Sequence, residues 1–381
     1  MPGRNEEGSI IVVGAGAAGL SSAAALQHRG ISATVLDRDS QIGGSWSRRY
    51  ESLHLHTLRR FSGLAHYPIP SNLPTYLSKD QYADYLKEYA VAQGLEVLLG
   101  EEVIAVRPLV AGGSGWDVAS NGRTRKARVV VIATGHYCEP WLPTWPGSES
   151  FEGTLIHSAD YVRGADYGGR KVLVVGLGNS GAEIASDLCN HGTAEVSLSV
   201  RTPPPIITRE MFGLVPVQLL GIVMTPLGVP RIVDWVGARL RTHALGDLSV
   251  YGLAPAAWGP FTARRPAVID TGFVQRLKQH QINIRPEIES FDARAVSYTD
   301  GSSEQIDVVI AATGYHTGLE KFLQVPGLID DSGQPRFCSG GATAATGLYF
   351  MGFDDTVRGH LFEINRNSRR LAGEIERYLA A

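Results

Sequence analysis

Apolar and polar positions fall in blocks along this chain. Four successive apolar residues, Ile10 to Val13, predict a strand covered on both faces. Gly14-Ala-Gly-Ala-Ala-Gly19 turns that strand into the alanine-rich helix Leu20 to Gln27, and Ala33 to Leu36 make a second strand. The same order returns at Val172 to Val175, Gly176-Leu-Gly-Asn-Ser-Gly181, the helix Ala182 to Cys189 and the strand Val196 to Val200. Two such strand, helix, strand units, about 160 residues apart, predict a duplicated α/β domain with parallel sheets rather than a short repeat array.

Between and after these units the pattern changes. Lys79 to Val91 has helical spacing, whereas Val129 to Ile132 and Val308 to Ile310 read as apolar strands ending in Ala133-Thr134-Gly135 and Ala312-Thr313-Gly314. Residues 203–266 are rich in Pro, Leu, Val and Trp, and their apolar run Leu214 to Val229 is broken by Pro216, Pro226 and glycines. A bilayer span needs about 20 unbroken apolar residues, so this stretch is expected to be an inserted helical lid or wall without membrane contact. Leu348 to Phe353 and a helix from Gly359 to Leu379 are expected to complete the first domain, with Arg366, Arg369, Arg370 and Arg377 on a solvated face.

Composition narrows the chemistry. Of 381 residues 44 are glycine, well above the usual share of about 7 per cent, and they follow no Gly-X-Y period, so the fold repeatedly needs bare backbone. The balance of 35 Lys and Arg against 38 Asp and Glu, a net charge of -3, provides no field for nucleic acid. Cys138, Cys189 and Cys338 are odd in number and far apart, which argues against a disulfide framework, a zinc site or dithiol chemistry. Ile10 to Val13 is too short for a signal-peptide core, and a cytoplasmic protein is expected.

The two glycine turns carry the chemistry. In a GxGxxG turn the first glycine makes the bend, the second lets backbone approach a pyrophosphate, and the third packs helix on strand. The helix N-terminus then offers free N–H groups to the phosphates. Gly14, Gly16, Ala17, Ala18 and Gly19 are expected to hold one dinucleotide, and Gly176, Gly178, Asn179, Ser180 and Gly181 a second. Asp37, with Arg38 beside it, ends the first unit's second strand and suits a free ribose 2'-hydroxyl, so FAD or NAD fits there. At the corresponding place the second unit is read as offering Arg201 and then Thr202, which favour the 2'-phosphate of NADPH; an arginine at a strand end can equally be a solvated charge. Asn179 either meets the nicotinamide side or caps its own helix.

Between the units, Phe151-Glu-Gly153-Thr-Leu-Ile-His157-Ser-Ala-Asp-Tyr161 matches the FxGxxxHxxxY signature of class B flavin-containing monooxygenases. With the two fingerprints, Gly43-Gly44-Ser45-Trp46 and both Ala-Thr-Gly segments, the chain resembles that family along nearly its whole length. Leu53-His-Leu-His56, Asn72 to Tyr76 and Lys171 to Gly181 look most like the YUCCA-type plant enzymes, which oxidatively decarboxylate indole-3-pyruvate, and small bacterial relatives. The likeness fades over 203–266.

The resemblance implies an α/β fold of two Rossmann-like dinucleotide-binding domains, the NADPH domain inserted in the FAD domain. Residues 1–150 and 315–381 would form the FAD domain, 151–165 a linker, and 166–314 the NADPH domain with its helical insert 203–266. It implies that NADPH reduces FAD, that O2 adds at the flavin C4a position, and that the resulting (hydro)peroxide gives one oxygen atom to a small apolar or aromatic substrate. Gly44, Ser45, Trp46, Val103, Ala133, Thr134 and Gly135 would adjoin FAD, and Ala312, Thr313 and Gly314 NADPH. Of the linker signature Phe151, Gly153, His157 and Tyr161, the histidine and the tyrosine would couple NADPH binding to catalysis, or would make plain interdomain hydrogen bonds. A homodimer is compatible with this reading.

One departure stands out. YUCCA-type sequences continue from His-Leu into Pro-Lys, and animal enzymes place an asparagine beside the flavin, where this chain has His56-Thr57-Leu58-Arg59-Arg60. His56 and Thr57 become candidates for the flavin environment, or His56 is a hydrogen-bonded structural histidine. An uncoupled NADPH oxidase releasing hydrogen peroxide and a Baeyer-Villiger oxygenation remain alternatives, although Tyr161 stands where the latter enzymes typically have Trp. A disulfide reductase would need a cysteine pair, and the chain has none.

Overall fold

A computed structural model describes residues 9–109, 115–211, 215–263, 265–354 and 356–381. The first unit opens with β1 (Ile10–Val13), α1 (Ala17–Gln27) and β2 (Thr34–Asp37). Short helical turns α2 (Gly44–Ser47) and α3 (Arg59–Ser62) precede α4 (Lys79–Ala92), β3 (Glu96–Leu99), β4 (Val103–Pro108), β5 (Trp116–Ser120), β6 (Arg123–Ala127) and β7 (Val129–Ile132). Strand β8 (Glu139–Pro140) leads to β9 (Thr154–His157), β10 (Lys171–Val175), α5 (Asn179–Asn190) and β11 (Glu195–Ser199). Next come β12 (Ile206–Thr208), β13 (Glu210–Met211), β14 (Val215–Pro216), α6 (Val217–Met224), α7 (Pro230–Leu245), α8 (Pro260–Ala263) and β15 (Val268–Asp270). The second unit closes with α9 (Phe273–Lys278), β16 (Asn283–Arg285), β17 (Ile288–Phe291), β18 (Ala295–Tyr298), β19 (Ser303–Gln305) and β20 (Val308–Ala311). The chain returns to the first through β21 (Tyr315–His316), β22 (Leu348–Phe350) and α10 (His360–Ala380).

Two parallel sheets result, ordered β22-β7-β1-β2-β3 and β16-β11-β10-β20-β9. The duplication runs deeper than the glycine turns, because each unit also carries an antiparallel meander, β4-β5-β6 or β17-β18-β19, just ahead of its Ala-Thr-Gly strand. β1, β7, β10 and β20 are apolar and almost wholly buried because helices and meanders cover both faces. α1 is buried nearly all round, and small residues let it lie against α10, where Ser21 and Ser368 hydroxyls meet at 2.8 Å. α4 starts at Lys79 because Ser78 and Gln81 form a reciprocal capping box.

Two expectations change. The segment expected as linker contributes β9, which pairs with β20 as the edge of the second sheet. The insert 203–266 is mixed rather than purely helical: β12 pairs in parallel with β15, just past its end, β13 pairs with β14 antiparallel, and α6, α7 and α8 supply its helices. The arginine face is solvated as expected, with Arg366, Arg369, Arg370 and Arg377 all exposed, and Arg370 also donates to Gly340 O at 3.2 Å. No helix among the described residues is long and apolar enough to cross a membrane.

Candidate functional site

Both glycine turns are built alike. β1 passes into Gly14 at φ +108° and β10 into Gly176 at φ +99°. A Cβ on these glycines would lie 2.6 Å from Ala133 O and 2.8 Å from Ala312 O, so bare backbone lets each turn rest on the neighbouring strand end. On Gly19 or Gly181 a Cβ would overlap the carbonyl oxygen of Gly14 or Gly176. Gly16 and Gly178 differ, since a Cβ there meets no protein atom within 4 Å. The unfilled space lies over the first turns of α1 and α5, at Ala17-Ala18 and Asn179-Ser180, and neither helix has a side-chain cap. Free N–H groups under open space fit a pyrophosphate at each turn.

The strand ends depart from expectation by one residue. Gly14 N donates to Leu36 O at 2.7 Å and Gly176 N to Ser199 O at 2.9 Å, and the registers pair Val13 with Leu36 and Val175 with Ser199. The counterpart of Asp37 is therefore Val200, and Arg201 matches Arg38. Asp37 accepts hydrogen bonds from the amides of Ala15 and Asp39, while burial holds its carboxyl above the ordinary range. The second unit has Val200 rather than a carboxylate at that place. Arg201 is exposed, 3.5 Å from Glu287, with exposed Thr202 after it.

The Ala-Thr-Gly segments cap the central crossings. Ala133 N donates to Val13 O and Ala312 N to Val175 O. Thr134 Oγ1 is buried without a protein partner, a donor available beside the first turn. Thr313 instead donates to Trp141 O. Gly135 and Gly314 have φ of +79° and +96°. Val103 begins β4 near Asp37, to whose carbonyl Glu101 N donates at 2.8 Å.

The signature residues pack and hydrogen-bond within the protein. Phe151 packs edge-on against Phe291 at 5.2 Å, and its ring folds over Gly153, where a Cβ would collide with it. His157 Nδ1 accepts from Ala159 N at 3.0 Å, so its proton sits on Nε2, which donates to Gly314 O at 3.0 Å. Burial lowers the affinity of that ring for a second proton. Tyr161 is fully buried and donates to Asp187 on α5 at 2.6 Å; the same carboxylate oxygen accepts from Gly164 N.

The units meet along residues 44–58. Gly43, at φ +77°, starts the turn Gly44-Ser45-Trp46, and Trp46 stands edge-on to Tyr82 of α4 at 4.8 Å. Tyr50 and His56 both reach Glu183 on α5: the tyrosine hydroxyl donates to Oε2 at 2.6 Å, and His56 Nε2 lies 3.0 Å from Oε1. Thr57 is 2.7 Å from the Ser62 hydroxyl. Asn179 does not cap its helix; it stands in the first turn and its Oδ1 accepts from Ile269 N at 2.8 Å, because the insert returns through β15 beside it. Gln218 of α6 accepts from Leu58 N at 2.7 Å and donates to Arg358 O at 2.9 Å.

Tyr50, Glu183, Asp187 and Gln218 are absent from the sequence reading. For the two acids a signal existed: they stand four apart on a helix whose neighbouring Ile184, Ala185 and Leu188 are buried. Among the described residues no group of His, Cys, Asp and Glu could hold a metal.

Two dinucleotide turns of one design, joined through a shared seam, define an oxidoreductase fold for a flavin and a nicotinamide nucleotide. Residues 7–325 match the family described as flavin-binding monooxygenase-like, and the chain belongs to that family. It is 38% identical over 326 residues to indole-3-pyruvate monooxygenase YUCCA1 of Oryza sativa subsp. japonica, covering 83% of this chain and 79% of the relative. With YUCCA4 of the same subspecies identity is 35% over 364 residues, covering 90% and 82%. The fold is that of a flavin-containing monooxygenase from Stenotrophomonas maltophilia, at TM-score 0.74 and 24% identity over 98% of this chain and 99% of the other. The protein is an FAD- and NADPH-dependent monooxygenase that oxidises a small molecule with O2.

Proposed function

We propose that this chain oxidatively decarboxylates an aromatic 2-oxo acid of the indole-3-pyruvate type in the cytoplasm. The observation that carries the substrate class is the 38% identity to a relative bearing that activity in its name. When bound, the flavin supplies the oxygen-activating chemistry. The chain's part is to bind, orient and exclude water. Gly14, Gly16, Gly19 and the amides of Ala17 and Ala18 take the FAD pyrophosphate, Asp37 the ribose, and Thr134 Oγ1 a cofactor oxygen. Gly176, Gly178, Ser180 and Gly181 take the NADPH pyrophosphate, with Arg201 and Thr202 in reach of its 2'-phosphate. His56 and Thr57 border the reacting ends.

The test is turnover of the FAD-loaded protein with NADPH, indole-3-pyruvate and 18O2. One 18O atom in indole-3-acetate, one CO2 and one NADP+ per turnover are expected. NADPH consumption balanced wholly by hydrogen peroxide would replace this reading by an oxidase. For the coenzyme, Arg201→Ala should weaken NADPH selectively, by about 1.5–3 kcal/mol for one charge-assisted contact; equal loss for NADH would remove the arginine from the 2'-phosphate site.

A further inference from the structure

Glu183 is a nearly buried carboxylate, and the two groups it receives, Tyr50 and His56, come from the other dinucleotide-binding unit. Its place is fixed by the fold, two residues past Gly181 on α5, on the helix whose first turn underlies the second cofactor cradle. Both Tyr50 and His56 lie on the chain between the Gly44-Ser45-Trp46 turn and the Leu58 amide, which Gln218 covers. His56 therefore stands at the seam, with its Nε2 engaged by Glu183 and its Nδ1 buried without a protein partner. A buried ring nitrogen without a partner costs free energy unless a ligand meets it. A carboxylate on one nitrogen of an imidazole fixes the ring plane and places the proton on that nitrogen.

Resting on the monooxygenase reading above, we propose that Glu183 is a positioning residue for His56. It holds Nε2–H so that Nδ1 is presented, as a hydrogen-bond acceptor, to the space where the two cofactors' reacting ends meet. Tyr50 donates to the other carboxylate oxygen and stops the carboxylate from rotating away. Since the acid belongs to the NADPH unit and the histidine to the FAD unit, the ring is oriented only when the seam is closed. Asn179, a candidate for either the nicotinamide side or the cap of its own helix, is engaged with the insert; Glu183 reaches from α5 across to the flavin side.

The test uses Glu183→Gln, which keeps shape and removes charge, with His56→Asn and the double variant, all loaded with FAD. Nitrogen-15 shifts of the His56 ring, assigned by comparison with His56→Asn, read the tautomer directly. In the neutral ring of the parent protein the Nε2–H form should dominate, and in Glu183→Gln its ratio to the Nδ1–H form should fall by about tenfold, the scale of one charge-assisted hydrogen bond. NADPH oxidation without substrate, followed as released peroxide, should rise by a similar factor in either single variant, with FAD content and the NADP+ dissociation constant unchanged in Glu183→Gln. The double variant should equal His56→Asn alone, because Glu183 acts only through the ring. An unchanged tautomer ratio in Glu183→Gln, or a further rise in the double variant, overturns the proposal. The tautomer readout needs no turnover, so failure of the substrate assignment would leave it standing and separately decided.

Discussion

At the residue scale, three glycines of one turn do different work, and the difference is measurable. Gly178 faces open space whereas Gly181 faces the carbonyl of Gly176, so equal substitutions should separate binding from folding. Gly178→Val is expected to raise the NADPH dissociation constant at least about tenfold while FAD stays bound and the melting temperature holds. Gly181→Val should lose about 1–3 kcal/mol of stability through overpacking, seen as an earlier urea midpoint. If both variants lost only stability, the space over Gly178 would not be a cofactor cradle. These turns were legible in the sequence because their constraint is local: a bend, an approach and a contact within six residues. The Arg201 assignment slipped by one because the end of β11 depends on which residue pairs with Val175, and the alternation Val196-Ser-Leu-Ser-Val200 runs on past Ser199 and hides that register.

At the scale of elements, the FxGxxxHxxxY segment is an edge strand pinned at both ends. Tyr161 holds it to α5 through Asp187, and His157 holds it to the strand end at Gly314. Tyr161→Phe leaves a buried carboxylate one donor short, so a loss of about 1–3 kcal/mol is expected, with cofactor affinities nearly unchanged; selective loss of NADPH would instead make the tyrosine a ligand contact. The His157 anchor has a pH signature. Burial lowers the folded-state pKa of His157 below its ordinary value, so the unfolded chain binds the extra proton more readily. Its contribution is complete above about pH 6.5 and declines as pH falls toward the lowered value. His157→Gln should flatten that acid limb in a stability-versus-pH series, and an unchanged limb would assign it elsewhere. The motif could be recognised from sequence, but its bracing role could not, since Asp187 and Gly314 lie far along the chain.

At the scale of the molecule, the insert reaches back onto the first unit. Gln218 bridges Leu58 N and Arg358 O, and a Cβ on Gly221 would overlap Val357 O, so α6 lies directly on the loop before α10. Gln218→Ala should speed proteolytic cleavage within 217–245 several-fold and raise the KM for substrate, with NADP+ affinity unaffected; unchanged cleavage would show that Gly221 packing alone holds the helix. The insert was the least legible region, because its composition marks it as different while its partners lie in distant segments. The doubled architecture could be read from two glycine fingerprints, whereas the seam formed by Tyr50, His56 and Glu183 arises only when the halves face one another. The chain crosses between the units on β8 and β21, and these strands pair with each other, Tyr315 with Pro140 and His316 with Glu139. Outward and homeward paths thus form one ribbon, so the backbone of each crossing is held by the other, and a substitution that unpairs one strand would be expected to loosen both.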